Sequence, residues 1–315
     1  MDTSRVLDFL HDRLSRGERA VLVTVCAVEG SSMRNPGTIM GVAPDGSFAG
    51  SLSGGCIENA VVAEGLETLK ANAPRIVRFG AGSPYLDIKL PCGGGLDVHF
   101  QPLGDGDLVE QCRKSIRDRA PFSISLGDTP RHLDKWHAPT FDGESGTFGY
   151  WPAPVLQIIG HGASVEALAR LGRTLGCWIK LFTPDQRIID GLTAEGIWAY
   201  RLARANQTSV LGGDPWTATV FLFHDHDWET QLMLRALELP HFYIGAMGGR
   251  KAHAQRCEVL AARGATAEQI ASIRAPIGLF HSSRDPQTLA LSALAEVIRA
   301  YDEADFAAVA GSPHD

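Results

Sequence analysis

The apolar positions Ile57, Val61, Val62, Leu66 and Leu69 recur at helical spacing, while Glu58, Glu64, Glu67 and Lys70 take the other faces. This period predicts a helix over 57–69, and nothing before Ile57 keeps it. Residues 6–14 carry a shorter amphipathic pattern that stops at Gly17, which predicts an N-terminal helix. The valine-rich run over 20–28 reads as a buried strand. Two short runs, 39–42 and 47–52, flank Pro44-Asp45-Gly46, a hairpin signal. Further strands are expected at 75–79 and at 96–100, where alternation sets His99 on the solvent face, and a helix at 107–117. The stretch 120–154 mixes Gly, Pro, Asp, His and Trp and reads as short strands plus linker.

From residue 155 the rhythm changes. A short apolar run at 155–159, a glycine turn through Gly160-His161-Gly162, a helix over 165–175 and a returning strand at 179–182 make the βαβ opening of a Rossmann-like domain. The dinucleotide fingerprint is incomplete: Val165 stands where its third glycine belongs, and Thr183 where a ribose-binding acid closes the second strand, with Asp185 two residues on. Strand and helix keep alternating, with strands at 217–223 and 241–244 and helices at 228–237, capped by Asp227, and 252–263. Residues 275–279 are read as extended, Asp285-Pro286 as the cap and first turn of a last helix, and the tail from Ala304 as frayed. The fold class is therefore α/β: an N-terminal α+β domain over 1–150 and a C-terminal Rossmann-like parallel-sheet domain over 151–315.

Bulk properties narrow the function. A chain of 315 residues suits about two domains. Its net charge of -7, with basic residues scattered, leaves no footprint for nucleic acid. Apolar runs such as 21–28 are too short to span a bilayer, and Met1-Asp2-Thr3-Ser4-Arg5 lacks the order of a signal peptide, so no membrane partner and a cytoplasmic location are expected. The six cysteines (Cys26, Cys56, Cys92, Cys112, Cys177 and Cys257) are scattered with no Cys-x-x-Cys spacing, which indicates reduced thiols rather than a disulfide framework or zinc knuckle.

Candidate chemistry gathers on glycine turns. Ser53-Gly54-Gly55-Cys56-Ile57-Glu58 delivers a thiol to the start of the predicted helix, where unpaired N–H groups and the macrodipole favour an anion and a thiolate; a buried structural cysteine is the other reading. Cys92-Gly93-Gly94 repeats the theme of cysteine beside glycine. Arg34 lies in a polar loop over 29–38, with a composition suited to phosphate or carboxylate. Gly160 and Gly162 in one turn, and Gly248 with Arg250 in another, sit at the carboxyl edge of a parallel sheet, where N–H-rich turns cradle anions. His224-Asp225-His226-Asp227 is open to two readings, a metal site or a polar loop that caps the next helix.

Taken together, Glu29-Gly30-Ser31-Ser32, the Gly-Gly-Cys56 element, Cys92-Gly93-Gly94, the turn at Gly160, Ile244-Gly245-Ala246-Met247-Gly248-Gly249-Arg250 and Ala275-Pro276-Ile277-Gly278-Leu279 resemble the XdhC/CoxI family of xanthine dehydrogenase accessory proteins over residues 7–301. The resemblance implies a chaperone, rather than a stand-alone enzyme, that binds molybdenum cofactor (molybdopterin). It implies support of cofactor sulfuration with a cysteine desulfurase and delivery to a xanthine dehydrogenase-type molybdoenzyme. On that reading Cys56, and after it Cys92, contacts the metal or its sulfur. Ser53, Gly54, Gly55, Glu58, Gly93, Gly94 and Arg34 line the cofactor, and the turns of Gly160, Gly162, Gly248 and Arg250 take its phosphate. A nucleotide at the Rossmann-like edge and a homodimer are further expectations left open. The sequence departs from the family at Thr183, often an aspartate, and at Phe280-His281-Ser282-Ser283, where relatives carry an acid and then Ile-Gly-Ala. The rival readings are an NAD(P)-binding oxidoreductase, for which no Tyr-x-x-x-Lys pair stands out, and a thiol-based metal-binding protein.

Overall fold

The computed structural model describes residues 2–30, 34–83, 93–223, 228–280 and 285–310. The chain divides into two compact units, Met1–Pro152 and Ala153–Asp315. Among the described residues no helix is long and apolar enough to cross a membrane.

The first unit runs α1 (Asp2–Ser15), β1 (Ala20–Glu29), β2 (Ile39–Val42), β3 (Phe48–Ala49), α2 (Glu58–Ala71), β4 (Arg75–Gly80), β5 (Gly95–Leu103), α3 (Asp107–Arg117) and then β6 (Phe122–Leu126), β7 (Arg131–Leu133), β8 (Thr140–Phe141) and β9 (Gly146–Tyr150). Its larger sheet is antiparallel in the order β3-β2-β1-β5-β4. Both faces of this sheet are covered, which is why central β1 reads as a continuous apolar run. Val21, Val23 and Val25 share a core with Ile57, Val61 and Leu69 of the α2 segment. Ala20, Leu22 and Cys26 share another with Val6, Leu7 and Leu10 of α1 and Val109 and Cys112 of α3.

This covering corrects the expectation for His99. The alternation along β5 is real, but its second face also meets protein: His99 sits opposite Thr24 on β1 and is only 2% exposed. Burial pulls its imidazole down to about 4.

The segment read as strands plus linker is a second sheet, antiparallel in the order β7-β6-β9-β8. Phe122, Ile124, Leu126, Phe148 and Tyr150 complete the core beneath α1 and α3.

The second unit runs β10 (Val155–Gly160), α4 (Ala163–Thr174), β11 (Trp178–Thr183), α5 (Gln186–Ala194), β12 (Ala199–Arg201), β13 (Thr217–Leu222), α6 (Thr230–Glu238), β14 (Tyr243–Ala246), α7 (Arg250–Ala262), α8 (Ala267–Ser272), β15 (Ile273–Arg274), α9 (Pro286–Glu303) and α10 (Phe306–Ala310). All six strands are parallel, in the order β12-β11-β10-β13-β14-β15. The first three strands therefore build outward on one side of β10 and the last three on the other, and the order reverses between β10 and β13.

Leu168, Leu192, Leu294 and Val297 bring α4, α5 and α9 onto one face of this sheet. Leu232, Leu237 and Leu260 bring α6 and α7 onto the other. The connection from β12 to β13 carries only a 3-10 turn, Thr208–Val210. Helix α9 begins where the sequence places it, with Asp285 accepting the Thr288 N–H at 2.7 Å and Pro286 in the first turn.

The tail is a correction. Phe306 is buried against Trp216, Phe242 and Tyr301, so the chain packs at the start of α10 rather than frays, while 311–315 lie outside the described residues.

Candidate functional site

In the first unit Ser53, Gly54, Gly55, Cys56 and Glu58 form one hydrogen-bonded turn at the start of α2. The chain turns through Gly54 and Gly55, whose φ angles of 80° and 118° suit glycine. Glu58 then reaches back. Its Oε1 accepts the N–H groups of Leu52 at 3.1 Å and Ser53 at 3.0 Å and the hydroxyl of Ser51 at 2.6 Å. Its Oε2 accepts the N–H groups of Gly55 at 2.9 Å and Ile57 at 3.2 Å and the Ser53 hydroxyl at 2.8 Å. The Ser53 oxygen accepts from Cys56 N–H at 3.0 Å, and the Ser51 oxygen from Gly54 N–H at 3.0 Å.

Burial alone would raise the Glu58 carboxyl, but hydrogen bonds from Ser51, Ser53 and the backbone outweigh it and hold the group down at about 2. The donors that the sequence leaves open to an anionic ligand are therefore taken by the protein's own carboxylate, which also meets the positive end of α2. What the turn offers outward is different. Cys56 is exposed, and a Cβ built on Gly55 meets nothing within 4 Å. The turn presents a thiol on a self-satisfied loop and suits a soft ligand better than a phosphate.

Gly93 and Gly94 belong to a second group. A Cβ on Gly93 also meets nothing within 4 Å, while Gly94 lies against Gly30 of the loop after β1 and its carbonyl accepts Ala81 N–H at 3.0 Å. Arg78 ties this group together by pairing with Asp97 at 3.1 Å, with Glu29 and with the Ala81 carbonyl. Arg34 is half-buried in the loop after β1. Cys92, expected as a second metal contact, lies outside the described residues, as do Ser31, Ser32, His224, Asp225, His226, Asp227 and His281.

In the second unit Gly160, Gly162, Gly248 and Arg250 all lie at the carboxyl edge of the parallel sheet. Gly160 ends β10 where a Cβ would meet the Leu222 carbonyl oxygen at 2.5 Å, so glycine lets β10 and β13 approach. Gly162 caps α4 with φ 88° and ψ 178°, a region nearly confined to glycine, and has open space beside it. Gly249 caps α7, again with no side chain on the N-terminal N–H groups, and the first residue of that helix is exposed Arg250. Unlike the start of α2, these two helix starts keep a glycine cap with no side-chain cap hydrogen bond among the described residues, and they are the better anion sites.

The acid a dinucleotide ribose requires is missing from the end of β11. Thr183 is buried with its hydroxyl on Asp185 N–H, and Asp185 caps α5 and pairs with Arg187.

One pairing at this edge has no counterpart in the sequence pattern. Arg256 on α7, 5% exposed, pairs with Glu229, 2% exposed, through Nε at 3.1 Å and Nη2 at 3.2 Å, and Nη2 also donates to the Met247 carbonyl at 2.8 Å. The turn before Gly248 is thereby pinned to α7 and to the start of α6. Residues 27 apart in sequence give no periodic signal, so only the fold reveals the pair.

Two family models match the chain: one described as XdhC and CoxI family over residues 13–80, and one described as XdhC Rossmann domain over residues 156–297. The molybdenum cofactor insertion chaperone PaoD of Escherichia coli K12 is 32% identical over 314 residues, 96% of this chain and 91% of its own. A Bacillus subtilis protein, named as a probable subunit of xanthine dehydrogenase, is 29% identical over 189 residues, 55% of this chain and 52% of its own. In fold, the chain is similar to a crystal structure from Bacillus halodurans described as a xanthine dehydrogenase, with a TM-score of 0.78 at 19% identity, covering 99% of this chain and 98% of that one. With both family models matched and a relative of this identity along nearly its full length, the chain belongs to the XdhC/CoxI family.

Proposed function

We propose that this protein is a molybdenum cofactor chaperone: it binds the cofactor and delivers it to a xanthine dehydrogenase-type molybdoenzyme. The observation that carries the reading is the 32% identity with a molybdenum cofactor insertion chaperone across 96% of the chain. The residues fit such a guest. A metal that arrives held by its own dithiolene needs few protein ligands. That agrees with an exposed Cys56 on a preformed loop and with the finding that, among the described residues, no group of three or more His, Cys, Asp or Glu could hold a bare ion.

Each unit has its own assigned contact. In the first, Cys56 is the soft ligand, Ser53, Gly54, Gly55 and Glu58 hold it in place, and Arg34, Cys92, Gly93 and Gly94 are further contacts. In the second, the glycine-capped starts of α4 and α7, with Gly160, Gly162, Gly248 and Arg250, take an anionic group such as the cofactor phosphate. The bound cofactor supplies the metal chemistry; the chain binds, orients and shields it. We further assign to the protein a part in exchanging a terminal oxo ligand for sulfide with a cysteine desulfurase, in the cytoplasm, with a homodimer as the working assembly. At the end of β11 the nearest acid, Asp185, is engaged as a cap, which favours this reading over dinucleotide redox chemistry.

Native mass spectrometry and metal analysis of protein purified anaerobically from a molybdenum-replete host test the reading. Wild type is expected to carry molybdenum and pterin together, and Cys56→Ser to retain molybdenum poorly. Wild-type protein free of pterin after such purification, and unable to take it up when it is supplied, overturns the chaperone assignment. Equal retention by Cys56→Ser removes the thiol from it.

A further inference from the structure

Helix α9, the longest among the described residues at 18 residues, has a second side that its own core does not use. Ala290, Ala293, Leu294 and Val297 face α4 and the sheet. Along the outer side Thr288, Leu291, Ala295, Ile298 and Asp302 follow at alternating steps of three and four, the spacing by which helices pair in a coiled coil. Leu291 is 51% exposed, and Leu175, just past the end of α4, is 47% exposed. A groove of about 490 Å³ runs beside them, lined also by Ala295 and Ile298 and, towards the end of the helix, by Arg299, Asp302 and Glu303.

The charges of α9 are arranged against its own dipole. A helix favours acids in its first turn and bases in its last. This one has no acid in the first turn and no base in the last, and Asp302 and Glu303 stand at its negative end instead. The acid that precedes it, Asp285, is turned onto the Thr288 N–H as the cap. A neighbouring helix of the ordinary charge order, laid antiparallel, brings its own acids to Asp302 and Glu303. A second α9 laid antiparallel does the reverse: it sets each acidic pair over the first turn of the other helix, where the field is positive. The spacing of the outer row agrees, because it reads nearly the same in both directions from Ala295, with Leu291 and Ile298 on either side and Thr288 and Asp302 beyond.

We propose that α9 docks on α9 of a second copy of this chain, antiparallel, with the twofold axis at Ala295. Each Leu291 enters the groove beside the other copy's Ile298, and each Asp302 comes over the other copy's Thr288. Ala295, with only a methyl group, lets the two helices approach at the axis. Such a contact is isologous, the same patch used by both copies, and it closes after two. It is also modest. Stable interfaces bury about 1,200–2,000 Å². A pair of helices about 27 Å long, with Leu175 beside each, lies at the lower end, so the dimer is expected to dissociate on dilution. This inference rests on the homodimer proposed above and names the surface that forms it.

Sedimentation velocity of the full-length protein from about 1 to about 200 µM measures the equilibrium. Wild type is expected to pass from monomer to dimer across that range. Leu291→Glu sets two carboxylates in the groove and is expected to weaken the dimer roughly a hundredfold, with the melting temperature of the dilute monomer unchanged because the side chain is exposed. Asp302→Lys combined with Glu303→Lys separates the dimer role from a structural one. Basic residues suit the last turn of the monomer's own helix, so the monomer is expected to melt no lower while the dimer weakens about tenfold. Ala295→Cys, oxidised in air, is expected to form a disulfide between the two copies at position 295, identified by peptide mass mapping. Wild type that stays monomeric throughout overturns both the homodimer and this interface. A dimer unmoved by Leu291→Glu, or one that gives no link at position 295, leaves the homodimer standing and overturns α9 as its interface.

Discussion

Glu58 Oε2 accepts the backbone N–H of Gly55 at 2.9 Å, so the residue that opens helix α2 closes back over the turn that carries Cys56. Six donors converge on this one carboxylate, from Ser51, Leu52, Ser53, Gly55 and Ile57. The arrangement fixes the loop before any ligand arrives and leaves the thiol as the group facing outward. A preformed turn loses little conformational freedom when a ligand binds to it.

Replacing Glu58 with Gln keeps the shape but removes the charge and turns an NH2 group toward N–H donors. Hydrogen bonds to a charged acceptor are worth about 1.5–3 kcal/mol each and overlap strongly here, so a loss on the order of 2–3 kcal/mol is expected at pH 7 by denaturant titration. The folded carboxyl is depressed to about 2 from an ordinary 4.5. Its contribution is therefore complete above about 4.5 and fades as the pH falls toward 2. The gap between wild type and Glu58→Gln should narrow over that window. A gap that stays constant down to pH 2 would mean that the carboxylate is not the organising charge.

The elements that the sequence shows well are those with enough length to display a period. Helices α2, α3 and α9 and strands β1, β4, β10 and β13 lie within a few residues of their predicted bounds. The second sheet of the first unit was legible only as short strands plus linker, because strands as short as Arg131–Leu133 and Thr140–Phe141 show no period from which bounds or pairing could be read. Helix α5, strand β12 and helix α8 pass unmarked for a similar reason. The tail fails differently: Phe306 has one aromatic side chain to announce its docking, and its partners Trp216 and Phe242 are remote in sequence.

For the site, residue types and turns were legible but hydrogen-bond ownership was not. Glu58 stands in the sequence as a residue for a ligand, yet it serves the loop itself. The Glu229–Arg256 pair joins α7 to the start of α6 only after folding.

His99 makes a second pH-dependent contribution, of opposite origin. The folded imidazole sits at about 4 because burial disfavours its charged form, against an ordinary 6.5. The unfolded chain then binds more protons between those values, so stability is complete above about 6.5, falls as the pH drops toward 4 and levels off below. The expected loss is on the order of 3–4 kcal/mol, at about 1.4 kcal/mol for each pH unit between 6.5 and about 4. In His99→Gln, which cannot titrate, this slope should vanish from the pH dependence of the denaturant midpoint. A slope unchanged by the substitution would place the titrating group elsewhere.

The Glu229–Arg256 pair makes a prediction about coupling rather than about total stability. Arg256→Met leaves the Glu229 carboxylate buried without its partner and strips a donor from the Met247 carbonyl, at a cost of roughly 3–5 kcal/mol. Glu229→Met strands the guanidinium and should cost a similar amount. The double variant leaves neither charge buried, and well-packed apolar replacements of ion pairs are often near neutral, so its loss should be smaller than that of either single variant. The measurement is a double-mutant cycle by chemical denaturation. Losses that simply add would show that the two charges act on stability independently, and that the turn before Gly248 is held by something other than their pairing.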